Sequence, residues 1–293
     1  MSNKNLNDAK KAKKDEFYTT YSDVYNEVIH YKKHFEDKVI FCNCNDSEES
    51  AFWKVFLCHF EEFKLKKLIA TYFIDEQGYK LEYDGKEVRK EEIEGEGDFR
   101  SDASLELLKQ SDIVVTNPPF SLFREYVATL MKYNKQFLII GNINAITYKE
   151  IFPLIKENRL WLGVSIHSGD RKFYVPDNYP LKASGCGIDN NGKKYICVKG
   201  VRWFTNIDHT KRHRPLEMGY VYNGYEYMYP KYDNYDAINV DKICQMPCDY
   251  NGVMGVPITF IDKYDPEQFE IIGMLHPYIN SKALYKRILI QKK

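Results

Sequence analysis

The stretch Asp112-Ile113-Val114-Val115-Thr116-Asn117-Pro118-Pro119-Phe120 (DIVVTNPPF) decides how the rest of the chain is interpreted. Its first half is a short apolar run, typical of a buried strand. From Leu122 onward, apolar residues recur at helical spacing, with Ser121 as a candidate cap. The proline-rich segment therefore follows the carboxyl end of a strand, which is where ligands bind in open α/β sheets.

The residue types in this segment predict a pocket for an amino group on a flat ring. Two consecutive prolines stiffen the backbone and remove two N–H donors, so the Pro118 carbonyl is held in one direction. The Asn117 side-chain oxygen is a second acceptor, and Phe120 offers a ring for stacking. Two acceptors match the two protons of an exocyclic NH2 such as adenine N6. An ordinary Asn-Pro-Pro turn is the alternative. The candidate catalytic residues are Asn117, Pro118, Pro119 and Phe120.

Strand and helix patterns alternate through the first half of the chain. Apolar runs predict buried strands, and helical periodicity predicts the segments between them. The predicted strands are 38–41, 68–73, 113–115 and 137–140, the helices are 20–35, 51–63, 104–109 and 122–131, and a hairpin surrounds Asp84-Gly85. This alternation predicts an α/β fold with a parallel sheet. The polar segments 42–50 and 116–120 then lie at the carboxyl ends of strands.

The second half changes character from about residue 160. It is rich in strand-like runs, with a long strand predicted at 195–204 and further strands at 258–261, 269–272 and 285–290. Seven of the 24 tyrosines lie within 220–235. We therefore expect three regions: a catalytic core at 1–154, a strand-rich recognition region at 155–254, and C-terminal strands at 255–293 that return to the core.

The charge is unevenly distributed, although 42 basic residues balance 42 acidic ones. Residues 151–293 hold 20 Lys and Arg against 15 Asp and Glu, whereas residues 1–150 hold 22 against 27. Such asymmetry favours a nucleic-acid partner, with a solvated surface as the alternative. The candidate DNA-contacting residues are Lys193, Lys194, Lys199, Arg202, Lys211, Arg212 and Arg214.

Composition excludes several classes of protein. An apolar fraction of 44% is too high for a disordered chain, and no apolar run of about 18 residues could span a membrane. The N-terminal residues lack the apolar core of a secretory signal. The seven cysteines are irregularly spaced, so neither a disulfide framework nor a zinc site is predicted. Cys42 and Cys44 are better explained by packing than as nucleophiles. We expect a cytoplasmic protein without a metal.

A buried strand followed by Asn-Pro-Pro-Phe and a helix resembles the catalytic motif of S-adenosylmethionine-dependent amino methyltransferases. More of the chain is similar to one subgroup, the EcoRI-like adenine-specific DNA methyltransferases. The similar pieces run in order along nearly the whole chain: Asp15–Thr19, Val39–Phe56, Gly97–Ser101, Asn117–Phe120, Gly255–Phe260 and Tyr285–Ile288. The resemblance implies a Rossmann-like methyltransferase sheet with helices on both faces. It also implies S-adenosylmethionine as the donor and a flipped-out adenine in double-stranded DNA as the acceptor.

The resemblance also assigns cofactor-side residues. These are Phe17, Tyr18, Thr19, Asn43, Asn45, Asp46, Asp98 and Phe99. The chain departs from most such enzymes because a glycine-free segment, 42–47, replaces the glycine-rich loop after the first strand. The subgroup carries an Asp at the position of Asn45, so Asp46 is the substitute candidate. Asp75 is a candidate ribose ligand, with a surface turn as the alternative.

Other functions remain open at the level of sequence. An Asn-Pro-Pro-aromatic motif also serves RNA-adenine and protein-glutamine methyltransferases, and an inactive DNA-binding homologue is a further alternative. Trp203 and Phe204 favour core packing over base stacking. His209 and His213 favour phosphate contact or solvation over metal binding. The resemblance also implies a bacterial or phage origin and fits a separately acting restriction endonuclease. The sequence patterns specify neither the recognition sequence nor the oligomeric state.

Overall fold

The computed structural model describes residues 19–43, 50–74, 77–93, 99–167, 169–175, 179, 181 and 185–293. The chain forms two compact units. Unit 1 comprises Met1–Asn142 and Gly163–Ile207, and unit 2 comprises Ile143–Leu162 and Asp208–Lys293.

The helices begin where the sequence provides caps. Thr20, Ser50 and Ser101 accept backbone N–H bonds from the first turns of the helices that follow them. The α-helices in the described part of the chain are α1 (Tyr21–Val28), α2 (Lys32–Phe35), α3 (Ala51–Cys58), α4 (Asp102–Gln110), α5 (Phe123–Lys132) and α6 (Phe152–Lys156). Short 3-10 helices cover Ile29–Tyr31, Ile143–Thr147, Thr210–His213, Glu226–Met228, Ile243–Gln245 and Ile258–Lys263.

The strands of the described residues vary from two to eight residues in length. They are β1 (Val39–Asn43), β2 (Lys67–Ile74), β3 (Gln77–Tyr83), β4 (Val88–Ile93), β5 (Ile113–Thr116), β6 (Gln136–Asn142), β7 (Trp161–Leu162), β8 (Asp170–Tyr174), β9 (Gly187–Ile188), β10 (Lys194–Lys199), β11 (Val201–Thr205), β12 (Ile238–Asn239), β13 (Met254–Pro257), β14 (Phe269–Leu275), β15 (Tyr278–Ile279), β16 (Lys282–Ala283) and β17 (Arg287–Lys292).

Unit 1 is built on a large mixed sheet with its strands in the order β4-β3-β2-β1-β5-β6-β11. The four central strands, β2, β1, β5 and β6, are mutually parallel. The strands β3, β4 and β11 run antiparallel to their neighbours. The predicted α/β class with a parallel sheet is confirmed. Because β1 and β5 are parallel neighbours, Asn43 and Thr116 end at the same edge.

Helices cover both faces of this sheet. Trp203 and Phe204 are adjacent on β11, so their side chains point to opposite faces. The Trp203 ring lies 6.1 Å from Phe52 of α3, whereas Phe204 lies 4.9 Å from Phe123 of α5, each in an edge-on contact. Both side chains on β11 are almost fully buried. The expected Rossmann-like arrangement is confirmed, and the two aromatic residues belong to the core, as their sequence context favours.

The predicted long strand at 195–204 is wrong as a single element. The chain breaks at Gly200, whose φ is +72°, a conformation that residues with a Cβ adopt at a cost. The residues before the break form β10, which pairs with β8 and β9 in a separate three-stranded antiparallel sheet. The residues after it form β11, which adds to β6 of the large sheet. One glycine thus connects two sheets of unit 1.

Unit 2 contains a four-stranded sheet in the order β12-β13-β17-β14 and a hairpin of β15 and β16. The strands predicted at 269–272 and 285–290 correspond to β14 and β17. The strand predicted at 258–261 is wrong, because Ile258–Lys263 forms a 3-10 helix that begins directly after Pro257. Phe260 and Ile261 are buried in this conformation, so their apolar character reflects packing rather than strand pairing.

The compact units divide the chain at positions different from the expected functional regions. The region expected at 155–254 contributes residues 163–207 to unit 1, and residues 155–162 and 208–254 to unit 2. Strands β13, β14 and β17 form a sheet with β12 inside unit 2, and the three functional regions expected from the sequence stay predictions. Residues after 200 belong to unit 1 because the long-range pairing of β11 with β6 returns the chain to the large sheet.

Candidate active site

Two polar residues meet at the carboxyl edge of the large sheet. Asn43 is the last residue of β1 and Thr116 is the last residue of β5, and both are almost fully buried. The Thr116 Oγ1 hydroxyl donates a hydrogen bond of 3.3 Å to the backbone carbonyl of Asn43. This bond ties the two strand ends together, directly before residues 117–120.

The Asn-Pro-Pro-Phe segment forms a tight connection between β5 and α5. The Leu122 N–H donates a 2.9 Å hydrogen bond to the Pro119 carbonyl, and Phe123 begins the helix. The Pro119 carbonyl is therefore engaged in the turn. Phe120 is 7% exposed and packs within the apolar cluster that includes Ile40 and Val115. Of the two proline carbonyls, that of Pro118 is the better candidate acceptor for a ligand.

Asn117 is oriented by a residue far away in the sequence. Its Nδ2 donates a 3.3 Å hydrogen bond to Thr19 Oγ1, across 98 residues. Thr19 is 7% exposed, directly before the Thr20 cap of α1. Because the amide is planar, engaging Nδ2 directs Oδ1 away from Thr19, and Oδ1 is a buried atom. The contact brings together two residues that the sequence assigned separately, one catalytic and one cofactor-side.

The side chain of Asn43 contacts Tyr126, one member of an aromatic pair. The Tyr126 hydroxyl on α5 donates a hydrogen bond to Asn43 Oδ1. The Phe99 ring lies edge-on to the Tyr126 ring, with 4.9 Å between centroids and an angle of 81°. Phe99 also stacks beneath the guanidinium of Arg100, 5.5 Å from its centroid. Two of the predicted cofactor-side residues, Asn43 and Phe99, thus lie in one cluster, connected through Tyr126.

Sequence reasoning missed Tyr126. Tyr126 lies within the helix predicted at 122–131, on the apolar face where Val127 and Leu130 are also buried. The usable signal was a tyrosine at an apolar position of the predicted helix. A buried tyrosine hydroxyl needs a hydrogen-bond partner, whereas phenylalanine would fill the same space without one. The remaining predicted cofactor-side residues lie outside the described residues: Phe17, Tyr18, Asn45, Asp46 and Asp98, together with Asp75 and Cys44.

The predicted basic residues fall into two groups. Lys193, Lys194 and Lys199 lie on or beside β10 in the small sheet of unit 1. Lys211, Arg212 and Arg214 lie at the 3-10 helix Thr210–His213 of unit 2. Arg202 lies on β11 and is 4% exposed.

Two of these arginines are engaged within the protein. The Arg202 guanidinium donates to the backbone carbonyls of Val201 and His167. Arg212 lies 3.7 Å above the Trp161 ring, donates to Asn158 and is 9% exposed at its side chain. Burial lowers the pKa of Arg212, against the opposing effect of Asp208. Both guanidinium groups therefore contribute to packing inside their own units.

The histidines of the same region, His209 and His213, also form polar contacts within unit 2. His209 is 7% exposed, and its Nε2 lies 2.9 Å from the Leu162 carbonyl. The Nε2 of His213 lies 2.8 Å from Asp208 Oδ1. Burial would raise the pKa of Asp208, but the contacts with His213 and Arg212 outweigh it and lower the pKa. Among the described residues, no group of three or more His, Cys, Asp or Glu is placed to hold a metal ion.

The small sheet of unit 1 presents a lysine between two tyrosine rings. Lys172 Nζ on β8 lies 3.9 Å from the Tyr195 centroid and 5.4 Å from that of Tyr174. The Tyr174 hydroxyl donates to Asp189 at 3.0 Å, which raises the pKa of Tyr174. The Lys193 N–H also donates to Asp189 and lowers the pKa of that carboxyl group. Sequence reasoning missed Lys172, because its nearer ring partner, Tyr195, comes from another strand, β10.

The sequence model described as "Adenine-specific methyltransferase EcoRI" matches residues 5–293. The chain belongs to this family. The predicted family and the predicted enzyme class, an adenine-specific methyltransferase, are confirmed.

Individual relatives of this EcoRI methyltransferase family resemble the chain over almost its full length. Type II methyltransferase M.EcoRI of Escherichia coli is 50% identical, over 99% of this chain and 97% of its own. M.MgeORF184P of Mycoplasma genitalium is 42% identical over 98% of both chains. M.MpnI of Mycoplasma pneumoniae is 44% identical over 95% of this chain and 88% of its own. No solved structure matches the chain significantly.

The helices of the described residues are too short or too polar to span a membrane.

Proposed function

We propose that this chain transfers a methyl group from S-adenosylmethionine to N6 of adenine in double-stranded DNA. The observation that carries the proposal is the orientation of the Asn117 amide. Asn117 directly follows β5, and its Nδ2 donates to Thr19 Oγ1, in a chain that belongs to an adenine-specific methyltransferase family. The relatives are Type II methyltransferases, which supports DNA as the acceptor. A cytoplasmic location and a separately acting endonuclease stay predictions that accompany this one.

The base pocket is proposed to be formed by residues 117–120. Stacking in a duplex hides adenine N6, so the base must leave the helix before it reaches the enzyme. Asn117 Oδ1 and the Pro118 carbonyl accept the two N6 protons, and Phe120 borders the ring. Acceptors held at this position stabilise the positive charge that develops on N6 during transfer. The rigid Pro-Pro backbone avoids the cost of orienting the carbonyl during the reaction.

The donor site is proposed to lie at the cluster of Asn43, Tyr126 and Phe99. S-adenosylmethionine supplies an activated methyl group on a sulfonium. The residues of this cluster fit such a ligand, since the Asn43 amide has a fixed orientation and Phe99 is an aromatic surface. An amide N–H suits the carboxylate of the amino-acid part, and an aromatic ring suits the adenine part. Thr116 holds this cluster beside residues 117–120, so the two sites share one sheet edge.

DNA contact is proposed for the small sheet of unit 1. Lys193 and Lys199 extend the basic character of Lys172, and all three lie on neighbouring strands or turns. Lysines that neutralise phosphates make binding salt-dependent. The buried guanidinium groups of Arg202 and Arg212 are proposed to have structural roles instead.

The test is methyl transfer with labelled S-adenosylmethionine by the wild type, Asn117→Ala and the control Asn144→Ala, which alters an exposed asparagine. We expect Asn117→Ala to reduce transfer to DNA by at least about 100-fold, the scale for removing one such polar group from a transition state. Asn144→Ala should match the wild type. Near-normal transfer by Asn117→Ala would contradict the assignment. Parallel reactions with RNA and with protein acceptors identify the other acceptor classes if DNA is not modified.

A further inference from the structure

Tyr126 places a hydroxyl group inside an apolar helix surface. The residue is 1% exposed, and α5 buries it beside Phe123, Val127 and Leu130. A buried hydroxyl is costly unless it forms a hydrogen bond, and phenylalanine would fill the same space without that cost. The Tyr126 hydroxyl donates to Asn43 Oδ1, across 83 residues. The hydroxyl therefore has a specific target, the last residue of β1.

This contact fixes the direction of the Asn43 amide. Asn43 is 3% exposed, and its backbone carbonyl accepts from Thr116 Oγ1. With Oδ1 engaged by Tyr126, the planar amide orients Nδ2 to the other side. Backbone and side chain of Asn43 are thus held by β5 and α5, the two elements that flank residues 117–120.

We propose that Tyr126 is a positioning residue for the donor site: it orients Asn43 so that Nδ2 donates to the carboxylate of S-adenosylmethionine. The inference rests on the proposed function and adds a residue to which the family motifs assign no role. Tyr126 acts through Asn43 and is not itself a catalytic residue. Its ring contact with Phe99 keeps the second donor-site residue in the same cluster.

The variant Tyr126→Phe removes the hydroxyl and retains the ring. We expect the dissociation constant of S-adenosylhomocysteine, measured by calorimetry on the full chain, to rise about 3- to 10-fold, the scale of one neutral hydrogen bond. The KM for S-adenosylmethionine should rise by the same factor, with kcat little changed. The affinity for methylthioadenosine, which lacks the amino-acid carboxylate, should stay the same.

The matched control is Tyr31→Phe. Tyr31 is also completely buried in unit 1, and its hydroxyl donates a 2.9 Å bond to Glu27. This variant also removes one buried tyrosine hydrogen bond, but we expect it to leave the affinity for S-adenosylhomocysteine within twofold. Equal weakening by both variants would show a general effect of destabilisation and overturn the inference.

A double-mutant cycle tests whether Tyr126 acts through Asn43. In an Asn43→Ala background, Tyr126→Phe should cause no further decrease in affinity, because its target is gone. Independent, multiplicative decreases would overturn the inference, as would normal affinity in Tyr126→Phe. In either case the proposed function stands if the wild type still methylates DNA. A wild-type chain that binds no S-adenosylhomocysteine and transfers no methyl group would overturn both.

Discussion

Gly163 packs against a buried carboxylate. Glu27 is completely buried, and its oxygens accept from Tyr31 and from the backbone N–H groups of Val164 and Ser165 at 2.6–2.9 Å. A Cβ at Gly163 would lie 2.2 Å from Glu27 Oε1 and 2.6 Å from Trp203 Cβ. The glycine is required by the close approach of these groups.

We predict that Gly163→Ala destabilises unit 1 by about 2–4 kcal/mol, because either the carboxylate or the β11 packing must shift. The measurement is urea unfolding followed by tryptophan fluorescence. Gly219→Ala is the control, since no atom lies within 4 Å of the added Cβ. A midpoint for Gly163→Ala equal to that of Gly219→Ala would contradict this account of Glu27.

Individual residues also show the limits of reading function from composition. Arg202 and Arg212 count toward the basic character of the second half, yet both guanidinium groups are engaged inside their own units. Asn117 shows the opposite case, because its role was predicted from its neighbours in the chain. The contact between Asn117 and Thr19 was not predicted, since nothing local links positions 98 residues apart.

At the scale of elements, basic and aromatic side chains alternate with buried ones in the small sheet of β8, β9 and β10. Ile196 and Val198 of β10 face the core, whereas Tyr195 and Lys199 face outward. The outward side chains are therefore available for a ligand without disturbing the core packing.

Replacing Lys172, Lys193 and Lys199 together by Gln should flatten the salt dependence of DNA binding. We expect the slope of log K against log salt to decrease in magnitude by about 2 to 3, roughly 0.9 for each phosphate that is no longer neutralised. Fluorescence anisotropy with a labelled duplex at several salt concentrations measures the slope.

The control for that experiment replaces Lys33, Lys66 and Lys86, which are exposed elsewhere in unit 1, by Gln. It makes the same change in net charge and should leave the slope nearly unchanged. Equal slopes for the two triple variants would exclude the small sheet as a DNA-contacting element.

At the scale of the whole molecule, the tyrosines of unit 2 include both buried and exposed side chains. In unit 2, Tyr232 is 5% exposed and donates to Asn239 Oδ1 and the Gly255 carbonyl. Burial raises its pKa from 10.0 to about 12. Burial likewise raises the pKa of Tyr229, Tyr250 and Tyr264. Tyr227, by contrast, is 80% exposed.

These shifts predict a decrease in stability at alkaline pH. Below pH 10.0 Tyr232 stays protonated in both the folded and the unfolded state, so its contribution to the free energy of unfolding is fully present. Between pH 10.0 and about 12 the unfolded chain loses the Tyr232 proton first, so the free energy of unfolding falls as pH rises. We expect this tyrosine to contribute about 1–2 kcal/mol of the decrease.

Urea unfolding at a series of alkaline pH values measures this effect. Tyr232→Phe should be less stable near neutral pH, because two hydrogen bonds are removed, but its stability should decline less steeply above pH 10.0. Tyr227→Phe should follow the wild-type profile. A Tyr232→Phe profile parallel to that of the wild type would show that ionisation of Tyr232 does not cause the decrease in stability at alkaline pH.

The sequence by itself determined the order of elements in the first half, the α/β class and the position of the Asn117–Phe120 segment. These features depend on local periodicity, caps and proline geometry, which act between neighbours in the chain. The family followed from short motifs for the same reason, and the family comparison confirmed it over 5–293.

Only the tertiary structure decided which distant residues meet. It divided 195–204 between two sheets at Gly200, joined Asn117 to Thr19 and Asn43 to Tyr126, and buried Arg202 and Arg212. Each of these outcomes depends on strand pairing and close packing between segments far apart in sequence. No local pattern encodes such contacts, because their free energy comes from surroundings that exist only after the chain has folded.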